Sequence, residues 1–249
     1  MDNSKKRIIS IDVNAIREVD LIEQLHHRIE QEESGYACFS NVHMLIEAYD
    51  NSDFAEVVNS ATYALPDGLP VAKSFRVLHG ISQERIAGMD FLPLFLHHCN
   101  LKEYRVAFIG STEEVLEATR SKINRELPGI VLTHLISPPF GQSWENEKYV
   151  RQLNESNTQV VFVALGCPKQ EVWMHAHTRQ IDAFLFGIGG ALPTYVGVIK
   201  RAPAWMRKSG LEWFYRLLKE PRRMFKRYLY TNSKFLYLLA PPYIKKPLF

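Results

Sequence analysis

The sequence has few cysteines, and their spacing excludes a covalent or metal-held framework. Its 249 residues contain 3 cysteines, which lie far apart at Cys38, Cys99 and Cys167. This odd and scattered set fits neither a zinc site nor a network of disulfides. The cysteine usage therefore predicts a protein of the reducing cytoplasm.

The sequence also lacks the short motifs of several common enzyme classes. It has no HExxH and no DxD, and His175 and His177 are two residues apart, so they do not share a helix face. We therefore expect no metal site and no metal cofactor. The absence of GxGxxG, GxxxxGK[ST] and GxSxG disfavours a dinucleotide site, a P-loop and a serine nucleophile.

No long apolar run is present. A helix that spans a membrane needs roughly 20 consecutive apolar residues, and no window approaches that length. The opening MDNSKKRIISIDV has neither the apolar core nor the cleavage site of a signal peptide. These absences again favour a cytoplasmic location.

Charge is present in an uneven distribution along the chain. Residues 201–249 contain 12 Lys+Arg and 2 Asp+Glu, whereas residues 1–200 contain 18 and 25, giving a formal net charge of +3. An acidic body with a basic tail predicts that the tail meets phosphate, phospholipid or nucleic acid.

Short apolar runs alternate with helical patterns through most of the chain. The predicted strands are 7–13, 36–42, 62–65, 105–110, 130–136, 159–166 and 183–190. Continuous apolar strands separated by helices indicate a parallel sheet covered on both faces, so we predict a Rossmann-like α/β core over residues 1–200. Such sheets bind ligands at the carboxyl ends of their strands, where Gly110, Gly166 and Gly187–Gly190 fall.

The tail has a different pattern. Residues 201–249 form a predicted helical appendage in which Pro221 begins a helix. Cations recur there at helical spacing among aromatic and leucine residues, at Arg216, Lys219, Arg223, Lys226 and Arg227. This pattern is typical of a helix that lies on an anionic membrane surface, and the apolar residues favour lipid over nucleic acid.

Asp67 stands in YALPDGLPVA, between Pro66 and Gly68 at the end of a predicted strand. By spacing alone it is a turn residue.

Other segments of the chain change that interpretation of Asp67. NVHMLIEA, LPDGLPV, ERIAGMD, FIGS, LGCPKQE, GIGGAL, VIKRAPAW and GLEWFYRLLKEPRR occur in this order, and together they resemble the WecG/TagA/CpsF glycosyltransferases, over roughly residues 8–230.

The resemblance implies a metal-independent, inverting transferase. Such enzymes move a sugar from a UDP-sugar to a polyprenyl-diphosphate-linked sugar at the inner face of the bacterial membrane. The products feed surface polysaccharides and exopolysaccharides, with N-acetylmannosamine, its uronic acid or a hexose as the sugar. The resemblance further implies self-association and an appendage that completes the site at the membrane.

The family motifs assign roles to particular residues. Asp67 matches the proposed general base, and Arg85 of ERIAG lies near the diphosphate. The matching substrate-binding positions are Asn41, Gln170, Arg216, Arg223 and Lys226. The strand-end turns expected to bind the donor nucleotide contain Gly110, Ser111, Gly166, Pro168, Gly189 and Gly190. Phe39 departs from the frequent threonine two residues before the asparagine, which leaves the sugar open.

Two other functions remain to be separated from this one. A nicotinamide-dependent oxidoreductase would share the Rossmann-like rhythm, although GxGxxG is absent. A non-catalytic lipid-binding module would use only the basic tail. The transferase interpretation predicts that Asp67 is needed for turnover, whereas the binding module predicts that only the tail is needed.

Overall fold

The computed structural model describes residues 4–139 and 144–240, without the side chains of Lys208 and Arg223. Its strands are β1 Lys5–Ile8, β2 Ile11–Asn14, β3 Gly35–Ser40, β4 Tyr63–Pro66, β5 Arg105–Gly110, β6 Val131–Ile136, β7 Val160–Ala164 and β8 Phe184–Gly187. Strands β3 to β8 form one parallel sheet in the order β4-β3-β8-β7-β5-β6. The prediction of a Rossmann-like parallel sheet is confirmed.

Helices connect the strands and extend the chain beyond them. They are α1 Glu18–Glu30, α2 Val42–Asp50, α3 Ser52–Asn59, α4 Leu69–His79, α5 Gly88–Leu101, α6 Glu113–Glu126, α7 Asn146–Glu155, α8 Lys169–His177, α9 Ala191–Tyr195, α10 Ala204–Lys208, α11 Glu212–Lys219 and α12 Pro221–Leu239.

The sheet is buried on both faces because alternate side chains of each strand point to opposite sides. Helices α1, α5, α6 and α9 cover one face, where Phe108, Phe162 and Phe186 pack ring against ring at centroid distances of 5.2 and 5.5 Å. Helices α2, α3, α4, α7 and α8 cover the other. Burial of each such ring contributes roughly 1.5–3 kcal/mol, so the uninterrupted apolar runs are the main stabilising feature of the core.

The first predicted strand differs from what the structure contains. Residues 7–13 do not enter the main sheet but belong to an antiparallel hairpin, in which Ile8 pairs with Ile11. Ile9 lies in the turn with a φ of 57°, and folding back brings both flanking isoleucines into one core cluster. A hydrogen bond from the Ala64 N–H to Asn14 Oδ1, at 2.7 Å, joins the hairpin to β4.

Strand order creates a crevice at the carboxyl edge of the sheet. The chain runs from β5 outward to β6 and then returns to place β7 on the other side of β5. Ligands of open α/β sheets bind at the point where the winding reverses in this way. The crevice between the ends of β5 and β7 is therefore where a ligand is expected.

The C-terminal helices pack against the core. Pro221 occupies the first turn of α12, as the sequence predicts. Phe235 is buried in the cluster that includes α2, and the Tyr230 hydroxyl donates to Asp50 at 2.6 Å. Within the described ranges, no helix combines the length and the apolar character needed to cross a bilayer. The division into residues 1–200 and 201–249 stays a prediction, and residues 241–249 lie outside the described part.

Candidate active site

Asp67 lies at the carboxyl edge of the sheet, where β4 ends. Its backbone N–H donates to Ser40 O at 3.1 Å, which continues the pairing with β3 for one more residue. Gly68 then adopts a φ of 93°, a conformation that favours glycine, and α4 begins at the next residue. The Pro-Asp-Gly turn thus fixes where the Asp67 side chain leaves the sheet.

The surroundings of Asp67 raise its pKa. Burial is the main cause and raises the pKa of the carboxyl from 3.8 to about 6, although the residue as a whole is only half-buried. Arg216 and Arg85 lower the pKa, while Glu212 and Asp90 raise it. A carboxyl group with a pKa near 6 is ionised at neutral pH and can still accept a proton, as a general base requires.

Arg85 is placed near Asp67 by the loop between α4 and α5. The Ile86 N–H donates to Pro66 O at 3.0 Å, so residues 85 and 86 return to the end of the strand. The Arg85 guanidinium bonds Asp90 Oδ2 at 2.5 Å and lies 3.8 Å from Glu212 Oε2. The structure therefore places Arg85 near Asp67, and the catalytic roles of both residues stay predictions.

Arg216 reaches the same place from α11. Its Nη2 donates to Met89 Sδ at 3.1 Å, and Met89 lies in the first turn of α5. The chain just before α11 packs closely on the core, since a Cβ on Gly210 would lie 2.5 Å from Cδ1 of Leu69, the second residue after Asp67. Glycine at position 210 therefore permits the appendage to pack on the Asp67 turn.

Three charged residues around Arg85, namely Asp90, Arg201 and Glu212, are not predicted from the sequence. Arg201 bonds Asp90 Oδ1 at 2.6 Å and Glu212 Oε1 at 3.3 Å, so it joins the same two carboxylates as Arg85. The partners are up to 111 residues apart in the chain, which spacing along the sequence cannot show. The three residues lie in the motif segments ERIAGMD, VIKRAPAW and GLEWFYRLLKEPRR, and this position in the motifs is the one indication of a role that the sequence offers.

Asn41 follows β3, the strand next to β4. Its Oδ1 accepts from the Met44 N–H at 3.2 Å and so caps α2. The cap holds the Asn41 side chain at the carboxyl edge of the sheet. The substrate-binding role of Asn41 stays a prediction.

Gln170 is buried between the ends of β7 and β8. Its Oε1 accepts from the Gly166 N–H at 3.1 Å, and its Nε2 donates to Glu171 Oε1 at 2.7 Å. A Cβ on Gly187 would lie 3.0 Å from Nε2, and one on Gly189 would lie 3.2 Å from Oε1. Gln170 therefore packs against the glycine turns that follow β7 and β8 and bonds the first of them. Its substrate-binding role stays a prediction.

Glu171→Gln is expected to reduce the dependence of stability on pH. Burial raises the pKa of Glu171 from 4.5 to about 7, and the contacts with Gln170 and Cys167 only partly oppose it. The folded state therefore holds this proton more tightly than the unfolded state, and stability is lost as pH rises from 4.5 through 7. The loss is on the order of 3 kcal/mol.

Urea denaturation at pH 5 and pH 8 measures this effect. Between pH 5 and pH 8, Glu171→Gln should lose less stability than the wild type, because its amide does not ionise. Glu155→Gln, on an exposed position of α7, serves as the control. A wild-type pH dependence in Glu171→Gln would contradict the prediction.

The predicted donor-binding turns follow β5, β7 and β8. Gly110 has a φ of 101°, and a Cβ there would lie 2.6 Å from Ala164 O, so only glycine permits this approach of β5 to β7. The Ser137 hydroxyl donates to Ser111 O at 3.0 Å and ties this turn to the end of β6. Pro168 and Gly190 are the residues that precede α8 and α9.

The remaining predicted positions are more dispersed. Lys226 is exposed on α12, and the side chain of Arg223 lies outside the described part. Phe39 is buried against Phe91 at a centroid distance of 5.2 Å, so it belongs to the core and offers no hydroxyl. In the ranges 4–139 and 144–240, no group of three or more His, Cys, Asp or Glu could hold a metal ion.

The site residues form a row along the sheet edge. Asp67 and Asn41 follow β4 and β3, Gln170 and Gly189 lie near β8 and β7, and Gly110 ends β5. Four strand spacings separate β4 from β5, a distance of about 19 Å. Asp67 and the Gly110 turn are therefore not in contact, and the row suits an elongated ligand.

The structure is a parallel α/β sheet, covered on both faces, with a carboxylate and guanidinium groups at its carboxyl edge, where sheets of this class bind their ligands. Residues 6–246 match the model of the glycosyl transferase WecG/TagA/CpsF family. The chain belongs to this family and is a glycosyltransferase, so the predicted resemblance is confirmed.

Several named relatives are similar to the chain over most of their length. The chain is 32% identical to the N-acetylglucosaminyldiphosphoundecaprenol N-acetyl-beta-D-mannosaminyltransferase of Bacillus subtilis (strain 168), over 86% of this chain and 82% of the relative. It is 31% identical to the protein of that name from Bacillus spizizenii, over 78% and 75%. The Staphylococcus aureus (strain MW2) protein of that name is 26% identical over 90% and 88%.

Proposed function

We propose that this glycosyltransferase moves a sugar from a UDP-sugar to a polyprenyl-diphosphate-linked sugar in one inverting displacement, with Asp67 as the general base. The observation that carries the proposal is the Asp67 carboxyl group, half-buried at the sheet edge with a pKa raised to about 6 and two arginines beside it. A single carboxylate is sufficient for an inverting transfer because no covalent sugar intermediate forms.

In this mechanism Asp67 removes the proton of the acceptor hydroxyl as its oxygen attacks the anomeric carbon of the donor. The bond from that carbon to the diphosphate oxygen breaks, and UDP leaves with additional negative charge. Arg216 and Arg85 stand close enough to Asp67 to influence its pKa, so they also stand near the reacting atoms. Their guanidinium groups stabilise the leaving diphosphate, which makes a divalent metal unnecessary.

Charge along the sheet edge favours one orientation of the donor. The first turn of α6, next to Gly110, carries Glu113 and Glu114, which repel phosphate. The arginines lie at the opposite end of the row. We therefore place the nucleoside near the crevice between β5 and β7 and the diphosphate toward Arg216.

The names of the relatives suggest the sugars. Those proteins are N-acetyl-beta-D-mannosaminyltransferases that act on N-acetylglucosaminyldiphosphoundecaprenol. We propose N-acetylmannosamine as the transferred sugar and a lipid-linked N-acetylglucosamine as the acceptor. The uronic acid and hexoses stay as alternatives, in part because Phe39 supplies no hydroxyl.

Membrane association is part of the proposal because the acceptor carries a lipid. The appendage presents cations together with large apolar side chains, and Trp213, Leu218, Phe225 and Leu229 are each at least 44% exposed. Each Lys or Arg near an anionic bilayer contributes about 1 kcal/mol of attraction. We propose that the appendage rests on the inner face of the cell membrane, and self-association stays a prediction.

One experiment tests donor, acceptor and metal requirement together. The protein is incubated in EDTA with a panel of UDP-sugars and the lipid-linked acceptor in vesicles that contain phosphatidylglycerol, and released UDP is measured. We expect UDP release with UDP-N-acetylmannosamine and sedimentation of the protein with the vesicles. Release that requires added divalent metal would contradict the metal-independent step.

The two rival functions have no comparable support. A nicotinamide-dependent oxidoreductase and a non-catalytic lipid-binding module do not account for the family match or for the arrangement around Asp67. A thermal shift caused by NAD and not by UDP would favour the oxidoreductase.

A further inference from the structure

Four charged side chains form a closed ring where the appendage meets the core. We call Arg85, Asp90, Arg201 and Glu212 the charge ring. Arg85 bonds Asp90 at 2.5 Å and lies 3.8 Å from Glu212, while Arg201 bonds Asp90 at 2.6 Å and Glu212 at 3.3 Å. Each arginine thus bridges both carboxylates, and each carboxylate binds both arginines.

We propose that Arg201 is a positioning residue, which holds α11 against the core through the charge ring so that Arg216 stays beside Asp67. The inference rests on the proposed function for its catalytic consequence. It adds a role for a residue that does not itself contact the substrate.

The bonds of Arg201 explain why it positions α11 and does not bind an anion. Its Nη2 and Nε are used on Asp90 and Glu212, and its Nη1 donates to Met89 O at 3.4 Å. Every nitrogen of this guanidinium therefore has a protein acceptor. Both carboxylates that pair with Arg201 also offset its charge, which weakens its attraction for an anion.

Arg216 contrasts with Arg201 in both respects. Among the described residues its guanidinium has no carboxylate within ion-pair distance, and its hydrogen bond is to Met89 Sδ, a weak acceptor. Five N–H groups on a guanidinium leave most donors of Arg216 available for phosphate oxygens. Arg216 is thus the arginine that can bind a diphosphate without first breaking an ion pair.

Helix α11 connects the charge ring to Arg216. Glu212 and Arg216 are four residues apart on α11, so they lie on one face about one turn apart. Fixing Glu212 between Arg85 and Arg201 therefore fixes the direction of the Arg216 side chain. Met89 reinforces this geometry because its backbone oxygen accepts from Arg201 and its sulfur accepts from Arg216.

A double-mutant cycle with Arg201→Met and Arg216→Met tests the proposal in detergent micelles, where membrane attraction does not contribute. In the enzyme that keeps Arg216, we expect Arg201→Met to lower kcat/KM about 100-fold, because a displaced Arg216 guanidinium loses its alignment with the diphosphate. In the Arg216→Met background the same change should cost less than about threefold, because the group that Arg201 positions is already absent.

Two further variants separate positioning from unfolding. Arg201→Lys keeps the charge but not the two-carboxylate bridge, so it should recover part of the activity. Arg120→Met removes an exposed arginine that pairs with Glu117 on α6, and it should leave kcat/KM unchanged. The proposal would be overturned if Arg201→Met lowered kcat/KM by the same factor with Arg216 present as with Arg216→Met, because the two residues would then act independently.

Hydrogen exchange provides a readout that does not depend on activity. Arg201→Met should increase the exchange of α11 amides while the exchange of the sheet stays at the wild-type level. Unchanged exchange in α11 would overturn the positioning role even if activity falls. If the wild type transfers no sugar from any UDP-sugar, the proposed function fails, and the exchange result still decides whether the charge ring holds α11.

Discussion

Asp67→Asn is expected to lower kcat by about 10²–10⁴-fold, the usual contribution of a positioned general base. The amide keeps the size of the side chain but cannot accept the proton of the acceptor hydroxyl. Binding of the UDP-sugar should survive, because the cations that we assign to the diphosphate are unchanged. The measurements are steady-state transfer with the lipid-linked acceptor and UDP-sugar binding by calorimetry.

The pH profile distinguishes loss of a base from loss of structure. The pKa of Asp67 is raised to about 6, so wild-type activity should fall as pH drops through 6 and the carboxylate becomes protonated. Asp67→Asn should retain only its low residual activity and lose this acid limb. The limb would persist in the variant if another group were the base.

Stability supplies the control for Asp67→Asn. A folded-state pKa raised above the ordinary value of 3.8 means that ionisation of Asp67 disfavours the folded state as pH rises through 6. Removing the carboxyl should therefore leave the melting temperature at neutral pH unchanged or higher. Asp182→Asn, at the amino edge of the same sheet, should keep wild-type activity. A large fall in melting temperature in Asp67→Asn would contradict this account.

The fold could be predicted from the sequence where local patterns determine it. Buried strands such as 105–110 and 159–166 read as apolar runs because both faces of the sheet are covered. The hairpin of residues 5–14 could not be predicted in this way. Its turn at Ile9 adopts a positive φ without glycine or asparagine, so no turn signal interrupts the apolar pattern.

The site was predictable only in part for a related reason. Asp67 and Arg85 stand near each other in the sequence and in recognisable motifs, and the structure brings them together. Arg201 and Asp90 are joined by a bond across 111 residues, and no local pattern encodes that contact. The burial of Gln170 is equally non-local, since it depends on the glycine turns of two neighbouring strands.

The balance of charges around Asp67 explains why several of these residues are needed together. Burial would raise the pKa of an isolated carboxyl, and Arg216 and Arg85 oppose this effect. The carboxylates of Glu212 and Asp90 raise it again, but each is also bound to arginine in the charge ring. A pKa near 6 is thus a property of the assembled site, which requires α11 in place.

Arg216→Met is expected to lower kcat/KM by about 10²–10³-fold, because the leaving diphosphate loses a preorganised cation. Arg216 also lowers the pKa of Asp67, so its removal should move the acid limb of the pH profile to higher pH. Both the fall in kcat/KM and the shift of the acid limb result from the loss of one guanidinium group near Asp67. The measurement is kcat/KM from pH 5 to pH 8.

Arg216→Lys provides the matched comparison for this prediction. Lysine keeps the positive charge, so the acid limb should stay closer to that of the wild type. It cannot present two parallel N–H groups to phosphate, so kcat/KM should be only partly recovered. Arg120→Met again controls for loss of an arginine elsewhere. An acid limb that does not move in Arg216→Met would place Arg216 away from Asp67 in the working enzyme, because a cation close to the base changes its protonation equilibrium.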